Sequence, residues 1–255
     1  MRDAPDWHAC AAIVEKGDPD RFRAAMAAPA SKRAILFPIY AANVEISRAP
    51  WVTQEPMIAE MRLQWWRDVI EQIVEGTDVR CHEVATPLSK ILSKTGAEAL
   101  DDLIAARRWD IYKDPFEDEA AFTSYLERTA GGLLFACADA LGQADQQVAY
   151  DAGFAAGLAG FLQAIPALEA AKRIPLLDGR REAIADLATE GLRRLNIARK
   201  SRGKLAKESC ISMWQVEPIL CKAQKHPGLV VEGALAVSSV SSTLRLSKAA
   251  LLGRW

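Results

Sequence analysis

Apolar side chains recur along this chain at the spacing of a helix face, and alternating runs of β-branched residues are nearly absent. Val52–Gln54 and Leu229–Val231 come nearest to strands, and both are too short to form one. The pattern predicts helices over 20–28, 34–48, 56–75, 83–94, 97–112, 117–141, 145–171, 179–200, 203–223 and 229–252. Breaks are expected at Pro29, Pro50, Gly76, Gly96, Pro115, Gly142, Pro175 and Pro227. With neither an internal repeat nor a low-complexity linker, the expected architecture is a single-domain all-α helical bundle over 1–255.

Three segments depart from simple amphipathicity. In Met57–Ile73, the residues Ile58, Met61, Trp65, Val69 and Ile73 form one stripe at 100° per residue, with Glu60, Gln64, Arg67, Asp68 and Glu71 largely opposite. Arg62 falls within that stripe, where a charge is costly unless paired, so it is either a snorkelling side chain or a buried guanidinium with a partner. In YAANVEISRA, Tyr40 to Ala49, Asn43 borders the stripe Ile35, Ile39, Ala42, Ile46, whereas Glu45 lies off it. Ala152–Leu168 holds no charge over 17 residues, the lower limit for a membrane span. Its alanines, its interruption at Pro166 and the seam Gly153, Gly157, Gly160 favour a central buried helix that another helix approaches closely. Tyr40 and Trp65 are expected in the core.

Composition narrows the chemistry. At 255 residues, half of them apolar, the chain can bury a large core. Five cysteines without a C-x-x-C pair and three scattered histidines argue against a disulfide framework and against a zinc site, and no metal or cofactor is expected. MRDAPDWHAC has neither the basic and apolar regions of a signal peptide nor the acid-poor character of a transit peptide, which points to a reducing, cytoplasmic setting. No G-x-S-x-G, P-loop, Rossmann glycine pattern or H-E-x-x-H is present. The net charge of −1 hides an asymmetry: residues 1–150 carry 16 Lys and Arg against 24 Asp and Glu, residues 151–255 carry 16 against 9. Within the basic part, Arg193, Lys200, Lys204 and Lys207 fall on one face of a helix continued past Gly203. They form a candidate surface for an anionic membrane, alongside the plainer reading of a solvated face.

RFRAAMAAPASKRAILFPIYAANVEISRAP followed by EPMIAEMRLQWWRDVIEQI resembles the start of the squalene/phytoene synthase family. ARRWDIYKDPF and YLERTAGGLLFACADALG are similar to that family's middle, where an Ala-Gly break kinks a cavity-lining helix. Gly153–Leu177 is similar to its second diagnostic helix. The likeness covers roughly residues 20–180, leaving the basic helices of 179–255 outside it. It implies the isoprenoid synthase fold. It also implies an apolar prenyl cavity in which two aspartate motifs hold Mg²⁺ against a departing diphosphate.

On this chain the resemblance places the first motif at Ser47, Arg48 and Trp51, and the second at Gly160, Gln163, Ala164 and Leu168, with the downstream basic residue at Arg173. None of these is acidic. The expectation is therefore a structural polar set, with Arg62 as partner to Asn43 or Glu45, in place of a metal site. Asn43-Val44-Glu45 and Met61-Arg62-Leu63-Gln64-Trp65-Trp66 are similar to a branch that includes a mitochondrial complex I assembly factor. That likeness implies a non-catalytic role beside a respiratory-complex subunit or an isoprenoid lipid, with no nucleic acid. The setting would be the inner membrane face, or the mitochondrial matrix side in a eukaryote. The alternative is an active prenyl-diphosphate condensing transferase with a relocated site, for which Asp101, Asp102 and Glu117–Glu119 are the remaining acidic clusters.

Overall fold

Every regular element among the described residues is helical. The computed structural model describes residues 7–253 and 255, so the expectation for MRDAPD lies outside them. The chain enters through α1 (His8–Gly17), α2 (Pro19–Ala27) and the long α3 (Ala30–Arg48). It continues through α4 (Pro56–Glu75), α5 (Ala85–Ser89) and α6 (Lys94–Ala106). Next come α7 (Glu119–Leu126), α8 (Gly132–Ala140), α9 (Gln146–Ala170) and α10 (Arg181–Lys200). The last elements are α11 (Val216–Lys225), α12 (Gly228–Val231) and α13 (Ser239–Leu252).

Local chemistry explains most boundaries. Asp18 caps α2 by accepting from the Arg21 amide at 3.0 Å, directly before Pro19 at the first helical position. Asp118 and Asp145 cap α7 and α9 in the same way, at 2.7 and 3.1 Å. Gly76 stops α4 at φ 70°, in the left-handed conformation that glycine adopts without strain.

Three expectations change. The helix α1 went unforeseen, although Cys10 and Val14, one turn apart, bury one face of it. Gly96 does not break a helix; its amide receives the Ser93 cap at 3.0 Å inside the first turn of α6. α9 runs through Pro166 to Ala170, as the span 145–171 predicted. The spans 203–223 and 229–252 are each divided. Turns of 3₁₀ helix at Arg202–Lys204 and Ser209–Met213 precede α11, and Gly233 at φ 66° separates α12 from α13.

Two apolar clusters make the interior, one around α9, α10 and α11, the other around α3, α4 and α5. α6 and α8 contribute to both: Leu134 and Ala138 face the first cluster, Leu133 and Cys137 the second. α9 is long and apolar enough to cross a membrane, yet 61% of its apolar window is buried inside the bundle. This is the central buried helix that its Ala and Gly content suggested.

The tightest contact in the fold lies where α9 meets the junction of α7 and α8. Residues Glu127–Gly131 are wound as a π turn between those helices, at the predicted Ala-Gly break. A Cβ placed on Gly153 would stand 2.2 Å from the Gly131 Cα, and one on Gly157 would stand 2.9 Å from the Ala130 Cβ. Gly160, the third glycine of the seam, has nothing within 4 Å of such an atom. Arg194 of α10 fastens the same junction. It is buried, and it pairs with Glu127 of the π turn at 2.6 Å and with Asp151 of α9 at 2.7 Å.

The glycines make a graded prediction. Gly153→Ala forces a methyl into backbone and is expected to cost roughly 2 kcal/mol or more. Gly160→Ala meets open space and should raise stability by about 0.5–1 kcal/mol through helix propensity. Thermal melts of the two variants, read by circular dichroism, check the contrast. Equal melting temperatures would remove the close approach from the account.

Candidate functional site

Helical spacing brings two distant stretches of sequence to one cavity. Ser47 and Arg48 at the end of α3, with Trp51 just beyond, face Gly160, Ala164 and Leu168, which are four residues apart and share one side of α9. The space between them is about 420 Å³, floored by Leu126, Leu133 and Phe161. The open side of Gly160 is therefore cavity.

The polar groups of the wall sort into bound and unbound. Asp110, buried at 4% exposure, is the only carboxylate lining the cavity among the described residues. It accepts from Arg107 Nη1 at 3.0 Å and from the Tyr125 hydroxyl at 2.9 Å, while Arg107 also donates to Tyr125 at 2.7 Å. Burial opposes the Arg107 charge, but Tyr125 and Asp110 outweigh it and hold its pKa above the ordinary value. Burial is the main reason that the Tyr125 pKa is raised, so the hydroxyl keeps its proton and donates. Asp110 is thereby committed to its own neighbours.

Asn43, 6% exposed, lines the cavity with no hydrogen-bond partner among the described residues. Arg48 is exposed at the rim and has no carboxylate partner there. Arg21 reaches the cavity from α2, held by Asp18. The rim is shaped by Lys172, whose φ of 60° is a left-handed conformation unusual for lysine. It turns the chain after α9 so that Arg173 donates to the backbone carbonyls of Asp110 and Tyr112, the latter at 3.0 Å. The Arg173 guanidinium lies 4.8 Å over the Trp51 ring, clamping one wall.

Of the polar candidates Tyr40, Asn43, Glu45, Arg62, Trp65, Gln163 and Arg173, Asn43 alone lines this cavity, beside the six motif places. Arg173 stands at the rim. Tyr40 is in the core and lines a pocket of about 20 Å³ next door, which shares Arg21 and Leu133 with the larger one. Glu45 is half-buried and makes no ion pair among the described residues. Arg62 does not meet Asn43 or Glu45; it is exposed on the outside of α4. The buried residues of α4 are Ala59, Leu63, Trp66, Val69 and Ile70; the expected stripe holds at Val69, with Trp65 and Ile73 partly buried, and fails at the start of the helix, where Ile58 and Met61 are 46% and 66% exposed. Trp65 is correspondingly half-buried, edge-on to Trp66 at 4.9 Å. Gln163 points to solvent from α9, away from the cavity.

The basic face is also redrawn, because α10 ends at Lys200 and the next residues form a 3₁₀ turn. Arg193 pairs with Glu190 at 2.6 Å and Lys204 with Asp145 at 3.0 Å, whereas Lys200 and Lys207 are exposed without such partners among the described residues. The acidic clusters have structural partners: Asp101 binds Arg67 in two bonds at 2.8 and 2.9 Å, Asp102 pairs with Arg128 at 3.4 Å, and Asp118 is the α7 cap. Among the described residues no three His, Cys, Asp or Glu side chains converge to hold a metal ion. The Arg107–Asp110–Tyr125 set was missed. The spacing of three between Arg107 and Asp110 was its available sequence signal.

Residues 14–206 match the squalene/phytoene synthase family. The chain belongs to that family. Its fold is shared with a dehydrosqualene synthase (TM-score 0.75, 14% identity, 96% of this chain and 95% of that one). It is shared too with a squalene synthase from Alicyclobacillus acidocaldarius (TM-score 0.72, 14% identity, 86% and 93% covered). A Drosophila melanogaster homologue of NADH dehydrogenase (ubiquinone) complex I assembly factor 6 is 29% identical over 79% of this chain. The Homo sapiens assembly factor 6 is 26% identical over 62%. The chain spans 61% and 49% of the length of these two relatives.

The buried set is expected to matter for folding. Asp110→Ala leaves Arg107 without its carboxylate and should cost roughly 3 kcal/mol, and Tyr125→Phe about 1–2 kcal/mol. The exposed Arg62→Ala should stay within about 0.5 kcal/mol of the parent chain. Urea unfolding of the three variants measures these differences.

Proposed function

We propose that this chain is a non-catalytic member of its family that serves the assembly of a respiratory membrane complex, and that its cavity holds an apolar-tailed ligand such as an isoprenoid lipid without Mg²⁺. The assembly role is supported by the two relatives named for it, and by Asn43, Glu45 and the Met61–Trp66 segment, which resemble that branch. The setting that follows is the inner membrane face, or the matrix side in a mitochondrion.

One observation carries the loss of metal chemistry. The six residues Ser47, Arg48, Trp51, Gly160, Ala164 and Leu168, which stand where the resemblance puts the metal motifs, line a single cavity, and none is acidic. The residues present do not fit the ion. The Ser47 hydroxyl donates to the Val44 carbonyl at 3.1 Å, Arg48 brings positive charge, and Asp110 is already bound by Arg107 and Tyr125. A hard cation needs several free oxygen ligands, and a departing diphosphate needs that cation to offset its charge. Retention of a ligand is supported by the Asn43 amide, which lines the cavity without a hydrogen bond to the protein and so is free to bond a ligand there.

Incubation with farnesyl or geranylgeranyl diphosphate and Mg²⁺ should release no pyrophosphate and form no condensed product. Turnover at ordinary enzymatic rates would overturn the reading in favour of a condensing transferase with an atypical site. In the source organism, deletion should lower the amount of assembled NADH dehydrogenase, measured on native gels, while squalene and carotenoid contents stay unchanged. Mass spectrometry of a lipid extract from the purified chain tests the ligand. Asn43→Ala is expected to reduce its yield several-fold.

A further inference from the structure

A second cleft lies far along the chain from the residues of the central cavity and shares none of them. It is about 230 Å³ in volume and is formed where the end of α10, the first turn of α11 and one flank of α13 meet. Four cations line it: Arg199, Arg202, Arg245 and Lys248, against the single side-chain carboxylate of Glu217. Arg199 donates to Glu217 at 3.1 Å and to the Trp255 carbonyl at 2.6 Å, and Arg245 stands 3.9 Å from the same carboxylate. The hydrogen bond from Arg199 is the main cause that holds Glu217 below the usual carboxylate pKa, so it stays charged. Arg202 is exposed with no carboxylate partner among the described residues, and the exposed Lys248 adds its charge to the field on Glu217 without an ion pair to it. The cleft therefore keeps uncompensated positive charge. Trp214 and Trp255 form its apolar walls, with Arg23 lying 5.0 Å over the Trp214 ring.

The helix beside the cleft adds an independent observation. α13 buries Ser242 and Ala249, and presents Val240, Leu244 and Leu251 outward at 72%, 68% and 82% exposure. At 100° per residue these three fall within about 40° of one another, and Lys248 and Arg245 lie between that stripe and the buried face. An outward apolar stripe is unfavourable in water and rare on a surface of this kind without a function. A cationic flank beside an apolar stripe is the pattern of a helix lying in a membrane interface.

We propose that the cleft is a binding site for the phosphate of anionic lipid headgroups, and that α13 lies against the bilayer with Val240, Leu244 and Leu251 in its apolar layer. Charge complementarity commits the occupant: the cleft offers guanidinium and ammonium groups, and guanidinium pairs with phosphate through two parallel hydrogen bonds. The apolar stripe needs a partner that a soluble anion does not provide. The proposal goes beyond the function above and does not depend on the contents of the central cavity. It replaces the face expected from Arg193, Lys200, Lys204 and Lys207, two of whose members have acidic partners.

Vesicle co-sedimentation of the full chain tests it. Binding is expected to vesicles of phosphatidylcholine with phosphatidylglycerol and not to phosphatidylcholine alone, and to weaken as salt rises. Arg202→Glu with Lys248→Glu should reduce affinity about tenfold or more, and Leu244→Ser with Leu251→Ser should abolish the binding that survives at high salt. All four positions are solvent-facing, so helical content measured by circular dichroism should match the parent chain. Indifference to anionic lipid, or unchanged binding by either double variant, overturns the proposal. So does saturable calorimetric binding of inorganic phosphate with no vesicle binding, which would assign the cleft to a soluble anion.

Discussion

The contact on which the architecture turns is backbone against backbone: Gly153 of α9 against Gly131 of the π turn. With no side chain on either residue, the central helix approaches the α7–α8 junction more closely than side-chain packing allows. Leu126, Thr129, Ala130 and Leu133, spaced as one helical face, all reach the cavity wall from the continuous rod that the π turn belongs to. Arg194 then crosses from α10 to hold the turn and α9 together, through Glu127 and Asp151. Removing one partner of such a buried pair leaves an uncompensated charge, which makes the junction sensitive at several positions.

That closeness also explains where the cavity is. One turn along from Gly153, Gly157 still packs on Ala130, but by Gly160 the helices have diverged and nothing occupies the missing side chain's place. The same small-residue run is thus tight packing at one end and cavity wall at the other. Arg173, turned back by the left-handed Lys172, closes the divergent end against Trp51 and the carbonyls of Asp110 and Tyr112.

The helical class, most breaks and the role of α9 were legible because they rest on periodicity and on Pro and Gly, which act locally. The α4 face was misread for a physical reason. Ile58, Met61, Trp65, Trp66, Leu63 and Ile70 supply more apolar residues than one face can bury, and only the neighbouring helices decide which set turns inward. Arg62 moved from a supposed buried pair to the solvent with that choice. The split of 203–223 and 229–252 escaped because Gly203 and Gly233 are individually tolerable in helices, at about 1 kcal/mol each. The Arg107–Asp110–Tyr125 set escaped because Tyr125 is 15 residues from Asp110, and only the fold joins them.

On the proposed reading, a cavity lined by Ser47, Arg48, Trp51, Gly160, Ala164 and Leu168, where the resemblance expects carboxylates, is an altered solvent and not simply an emptied site. Carboxylates facing one another across an unfilled cavity repel, and each is expensive to bury without a counter-ion. Neutral and cationic groups at these places carry no such repulsion. The remaining acid, Asp110, is neutralised by an arginine of its own element. The polar groups free at the wall are the Arg48 guanidinium, a donor, and the Asn43 amide, a donor through its NH2 and an acceptor through its carbonyl, and on the proposed reading they meet the polar head of a ligand whose hydrocarbon chain lies on the apolar floor. On that reading binding and catalysis are separable, because the apolar volume depends on Gly160 and Ala164 of α9, whereas the chemistry would depend on carboxylates that the cavity face of this helix does not carry.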